Sequence, residues 1–224
     1  MERAEFAGIR PELLEYLMGI SMNNYREYFL ATRQAYERDV KRPLYALAEA
    51  LVPTALAIDE DMEQRPGHIV SRIRRDTRFT KDKSPYRSNM WLSFHPTGRP
   101  KSECFGLYYD ISPRGSCYGG GFYDCDPGRA RWLRGKILRQ QEQFLQALCA
   151  PEFAAHYRVL GEDYKRMDIP DGLDPRLHAL YRKKSFYVEH SDGLDACIEQ
   201  PEYAQRIARG LLLLGPLYHL MMTE

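Results

Sequence analysis

Residues 104–123 read CFGLYYDISPRGSCYGGGFY. Two runs with period-two character flank Pro113-Arg114-Gly115, a tripeptide suited to reversing the chain. Proline presets a turn dihedral, and glycine takes conformations that a side chain resists. The reading is a hairpin with strands at 104–111 and 116–123. Tyr108 and Tyr109 are neighbours on a strand, so one ring falls on each face and one of them is placed to line a cleft. Gly119-Gly120-Gly121 weakens a strand interior. Such a run marks a bulge, the plainer reading, or a close approach by a ligand or backbone.

Working outward, 68–75 and 89–95 read as further strands, with Pro96-Thr97-Gly98 as a second turn, and 184–190 (KSFYVEH) alternates as one more. The N-terminal part, 10–58, is helical in period. Pro11 suits a first turn, Asn23-Asn24 offers an N-cap for a helix over 25–40, and Pro43 suits the start of a third helix that Pro53 should kink or restart. Asp126-Pro127 opens a helical stretch, Asp174-Pro175 caps a helix carrying Leu177, Leu180 and Tyr181, and 201–214 forms a last long helix. Helices, then hairpin-linked strands, then helices again predict an α+β fold: a single domain over 1–224, with a mainly antiparallel sheet flanked by N-terminal and C-terminal helices.

Composition narrows the class. The chain has 224 residues, 44% of them hydrophobic, with a net charge of +1. That balance argues against disorder and against a polybasic nucleic-acid binder. The five cysteines are widely spaced with no CxxC pair, which reads as reduced thiols. The start lacks an apolar signal segment, and 211–222 is too short to span a bilayer. The expectation is a cytoplasmic protein with no membrane partner; its oligomeric state is left open. The six histidines show no metal spacing, so no metal and no cofactor is expected. The glycine run is neither a P-loop nor GxGxxG. Asp124-Cys125-Asp126 resembles a phosphotransferase aspartate pair only superficially, because Pro127 follows and the acid reads as an N-cap. Thr80-x-x-Lys83 lacks the companion motifs of serine acyl enzymes.

Charge is concentrated at one place. Between Arg65 and Arg87 stand eight Lys or Arg against Asp76 and Asp82, a local excess of six, so the rest of the chain sums to −5. Strict alternation puts Arg72, Arg74, Asp76 and Arg78 on one face, with Ile73 and Phe79 toward the core and Arg75 opposite Arg72 and Arg78. Arginine forks and a lysine suit binding of phosphate or carboxylate. Arg72, Arg75, Asp76, Arg78, Lys83 and Tyr86 are the candidate ligand-binding residues. Asp76 orients the guanidinium groups, and Lys83 and Tyr86 are the candidates for proton transfer.

The pattern Arg72-x-x-Arg75-Asp76-x-Arg78-Phe79-x-x-x-Lys83-x-x-Tyr86 resembles the defining motif of a bacterial family of uncharacterised proteins, domain of unknown function 2461. All seven motif positions are met. The length, the Asn23-Asn24 pair and the Gly119-Gly120-Gly121 strand are similar as well. The resemblance implies one coherent domain and carries no activity. From the residues themselves, the expected function is binding of, or action on, a small phosphorylated or carboxylated anion at the Arg/Lys/Tyr cluster. The alternatives are a nucleic-acid-binding module, with Phe79 and Tyr86 stacking on bases, and a purely structural charge network.

Overall fold

Proline starts the first helix as expected: Pro11 opens α1 (Pro11–Met22), whose Leu13, Tyr16, Leu17 and Ile20 are buried at helical spacing. The computed structural model describes residues 5–78, 80–122 and 126–223. After α2 (Arg26–Ala31) comes α3 (Arg33–Ala35), which runs through a π-helical segment, Tyr36–Lys41, directly into α4 (Arg42–Ile58). Pro43 stands in the first turn of α4, as expected. The chain widens by one residue before it, with the Arg42 amide bonding Glu37 O five residues back. That wider turn accommodates a ring with no N–H to donate. No new element begins at Pro53, which lies inside α4. Asn24 does not cap α2, whose flanking residue Tyr25 makes no side-chain cap.

The short α5 (Pro66–Ile69) precedes β1 (Met90–Phe94), β2 (Phe105–Ser112) and β3 (Gly115–Phe122). The quoted hairpin is confirmed. β2 and β3 pair from Phe105↔Phe122 to Ser112↔Gly115, and Gly115 sits at φ +155 beside the turn. Beyond it follow α6 (Pro127–Arg139), α7 (Gln141–Leu148), α8 (Pro151–His156), β4 (Arg158–Leu160), α9 (His178–Tyr181), β5 (Tyr187–Asp192), α10 (Glu202–Leu212) and α11 (Gly215–Met222). Asp126 caps α6 by accepting the Arg129 amide at 2.7 Å. Asp124, Cys125 and Phe79 lie outside the described residues.

The sheet is antiparallel with order β1-β2-β3-β5-β4. Residues 68–75 are not a strand of it. Pro66 opens a helical turn, and Ile69, Val70 and Ile73 are the buried positions, a spacing that period two cannot deliver. The segment still lies along the β1 edge. The Ser71 amide donates to Trp91 O at 2.8 Å, and the Trp91 amide donates to the Ser71 hydroxyl at 3.0 Å, so a side-chain oxygen stands where a strand carbonyl would.

One sheet face carries Leu92, Leu107, Tyr109, Ile111, Tyr118 and Val188, all at 0% exposure, against helices that include α4, α10 and α11. Burial of each such aliphatic side chain stabilises by about 1.5–3 kcal/mol. Helices gathered on one face of an antiparallel sheet make this an α+β fold. That arrangement leaves the other face open.

Candidate functional site

Both acids of the charged loop are taken by its own arginines. Arg78 Nη2 donates to Asp76 Oδ2 at 2.6 Å, and its Nε donates to Oδ1 at 3.0 Å. Arg75 pairs with Asp82 and donates to the Ser84 hydroxyl at 3.1 Å. Lys83 Nζ donates to the Thr77 carbonyl at 2.8 Å. The Arg78 hydrogen bonds hold the Asp76 carboxyl down at about 2. Asp82 is also held at about 2, first by the Ser84 hydroxyl. Asp76 is bonded to one guanidinium, that of Arg78. Arg75, opposite the others by alternation, finds its own acid.

Tyr86 departs from the polar group. Its ring is buried and stacks on Phe29 with centroids 4.6 Å apart. Its backbone is held on both sides. Toward the loop, the Arg75 amide donates to Pro85 O and the Arg87 amide to Ile73 O, each at 2.8 Å, placing Arg74 opposite Tyr86. Toward α1 and α2, the Asn24 amide closes a cyclic pair: Tyr86 N–H donates to Oδ1, and Nδ2 donates to Tyr86 O, both at 2.9 Å. The sequence-predicted cluster thus resolves into an Arg78–Asp76 pair, an Arg75–Asp82 pair, a lysine on a backbone carbonyl and a core tyrosine. Arg72 and Arg74 stand exposed, and neither forms an ion pair among the described residues.

A second group of polar residues gathers on the open sheet face, in a cleft of about 400 Å³. Register sets it out in rows. Trp91, Asp110, Cys117 and Ser191 lie side by side across β1, β2, β3 and β5, and the next row is Ser93, Tyr108, Gly119 and Glu189. Gly106, Gly121 and Tyr187 form a third. The glycines hollow the floor. They are also required by the close approach of β5: a Cβ on Gly119 would lie 1.9 Å from Val188 O, and one on Gly121 would lie 2.5 Å from Tyr187 Cβ. The strand is continuously paired through the triplet, so close backbone approach is its reason and not a bulge.

Across Gly119, the Tyr108 hydroxyl reaches from β2 to β5 and donates to Glu189 Oε2 at 2.9 Å. Asn89 Nδ2 donates to Asp110 Oδ2 at 2.7 Å. Burial raises the Asp110 carboxyl above the ordinary range; Asn89 opposes this and the Glu189 charge adds to it. Burial likewise pushes up the Tyr108 hydroxyl and the Cys117 thiol. At another part of the lining, burial lowers His95 and Lys101. Arg87 lies over the Trp91 ring, 4.4 Å from its centroid, so the end of the charged loop touches the cleft wall.

The cleft is lined by none of Arg72, Arg75, Asp76, Arg78, Lys83 and Tyr86. Sequence reasoning expected one of Tyr108 and Tyr109 to line a cleft; Tyr108 lines this one, while Tyr109 is buried in the core. It missed Trp91, Asp110, Cys117 and Glu189. The available signal was the alternate set Gly106, Tyr108, Asp110 against the apolar set Leu107, Tyr109, Ile111: a strand face that is polar and small without being charged throughout.

The fold and this face define an α+β protein with one helix-covered and one open sheet surface, the latter carrying a mainly apolar cleft with a few polar groups. The chain belongs to the family described as "Conserved hypothetical protein (DUF2461)", whose model it matches over residues 12–220. No curated protein matches it.

Proposed function

We propose that the protein binds a small organic molecule in the sheet-face cleft, one with an apolar or aromatic body and an N–H donor or cationic group. The supporting observation is the pair of oriented acids. Asp110 and Glu189 are held by Asn89 and Tyr108, and neither forms an ion pair among the described residues. A carboxylate partly withdrawn from water without a cation, as Asp110 is, costs folding free energy that a ligand donor recovers. The volume suits a small ligand, and Trp91, Tyr108 and Tyr187 supply faces for stacking or cation–π contact.

A thermal-shift screen of amines and N-heterocycles against phosphates, carboxylates and short oligonucleotides tests this. A bound compound at a hundredfold its Kd adds about 2.7 kcal/mol of stability. Stabilisation by N–H donors in wild type, absent in Glu189→Gln, is the expected result. No stabilisation by that class overturns the proposal.

A second reading rests on Arg72 and Arg74. Both are exposed cations without ion pairs among the described residues, and they suit a phosphorylated or carboxylated anion. Stabilisation by phosphates that is lost in Arg72→Ala or Arg74→Ala favours it. A steep salt dependence with oligonucleotides would turn that reading toward nucleic acid.

A further inference from the structure

Four of the six large apolar side chains that stand exposed among the described residues fall within one short stretch: Met18 at 52%, Met22 at 78%, Tyr25 at 51% and Leu30 at 49%. They belong to the corner where α1 turns into α2. Met18 and Met22 are one helical turn apart on α1. Tyr28 ties α2 to α1: its hydroxyl sits 2.6 Å from where a Cβ on Gly19 would stand, and its ring lies 6.1 Å from that of Tyr25 at the start of α2. The α2 helix therefore lies on the part of α1 that carries both methionines.

Cations border this corner. Leu30 has Arg26 one turn before it and Arg33 three residues after, both exposed. The Asn24 clamp then brings the charged loop alongside. Tyr86 is bonded to Asn24 on one edge and faces Arg74 on the other, so Arg74 lies roughly 10 Å away, two strand spacings. Arg72 is exposed two residues further along. Glu12, Glu15 and Glu27 are the exposed acids on these helices; Glu12 stands in the first turn of α1, away from the corner, and Arg26, Arg33, Arg72 and Arg74 outnumber the other two.

We propose that this corner docks on an anionic lipid bilayer, lying on the surface without crossing it. No described helix is long and apolar enough to cross a membrane. The apolar tips of Met18, Met22, Tyr25 and Leu30 enter the interface, while Arg26, Arg33, Arg72 and Arg74 stay among the headgroup phosphates. Charge decides between occupants. A second copy meeting the same patch across a two-fold axis would gather Arg26, Arg33, Arg72 and Arg74 of both copies at one interface. A bilayer rich in acidic headgroups offers the opposite sign and deforms around a corner formed by a helix–helix turn.

Vesicle co-sedimentation tests the proposal, with one vesicle set rich in phosphatidylglycerol and one of pure phosphatidylcholine. Wild type sediments with the first and not with the second. Met22→Ser with Tyr25→Ser, and separately Arg26→Gln with Arg33→Gln, each lower the bound fraction by about tenfold or more. All four side chains are exposed, so unchanged thermal melts confirm that the variants fold. Equal binding to both vesicle types, or folded variants that bind like wild type, overturn the proposal. Absence of vesicle binding also overturns it and leaves an acidic protein surface as the occupant. Self-association without vesicles that Met22→Ser abolishes assigns the corner to a second copy and overturns it equally.

Discussion

At the scale of single residues, Asn24 and Asp110 show opposite relations between a polar side chain and stability. Asn24 satisfies both backbone groups of Tyr86, 62 residues away in the chain. Replacing it by alanine leaves an N–H and a C=O without partners beside a buried ring, and Asn24→Ala should cost about 1–3 kcal/mol in urea unfolding. A loss below about 0.5 kcal/mol would mean that water replaces the amide at no penalty. Asp110 is an acid whose folded-state pKa is raised by burial. The folded state therefore binds its proton more tightly than the unfolded state does, and stability falls as pH rises above the unfolded carboxyl value of about 3.9. Asp110→Asn removes that penalty. The variant should melt higher than wild type at neutral pH and lose the advantage at pH 3, where Asp110 is protonated in both states. A variant less stable than wild type at pH 7 would show that Asp110 is a structural acid. None of this was legible in the sequence. Asn23-Asn24 looked like a helix cap because the partner that claims Asn24 lies far along the chain.

Among elements, the hairpin at β2 and β3 was legible because its turn chemistry and both strand periods lie in one continuous stretch. The segment at 68–75 was misread because Ile69 and Ile73 fit a period-two pattern that the burial of Val70 breaks, while the Ser71 hydroxyl does the pairing that a strand backbone would do. Ser71→Ala should therefore leave the Trp91 amide without an acceptor and cost about 1–3 kcal/mol, and Ser71→Thr should retain most of the stability. Equal stability of Ser71→Ala and wild type would place this contact outside the folding energetics. Likewise β4, three residues long, carries no pattern to detect, and the π-helical turn before Pro43 answers a local conflict that periodicity does not register.

For the whole molecule, the sheet divides two kinds of chemistry. One face takes the helices and the aliphatic core; the other keeps Asp110, Cys117, Tyr108 and Glu189 in a hollow floored by glycine. The arginine cluster was conspicuous in the sequence because its charges are consecutive. In the fold Arg75, Arg78 and Lys83 meet partners within their own loop. The cleft was nearly invisible in the sequence because Asp110 and Glu189 are 79 residues apart, and only the β2-β3-β5 order brings their rows together. The acids of the loop, held at about 2, keep their charge at ordinary pH. Their contribution is present above the unfolded value of about 3.9 and lost as pH falls toward 2.

The most direct measurement is a calorimetric titration of one N–H donor compound from the screen into wild type, Glu189→Gln and Arg72→Ala. The account predicts one saturable site in wild type, affinity lower by about tenfold or more in Glu189→Gln, and no change in Arg72→Ala. Unaltered affinity in Glu189→Gln together with a loss in Arg72→Ala would contradict it, moving the ligand from the sheet face to the arginine loop.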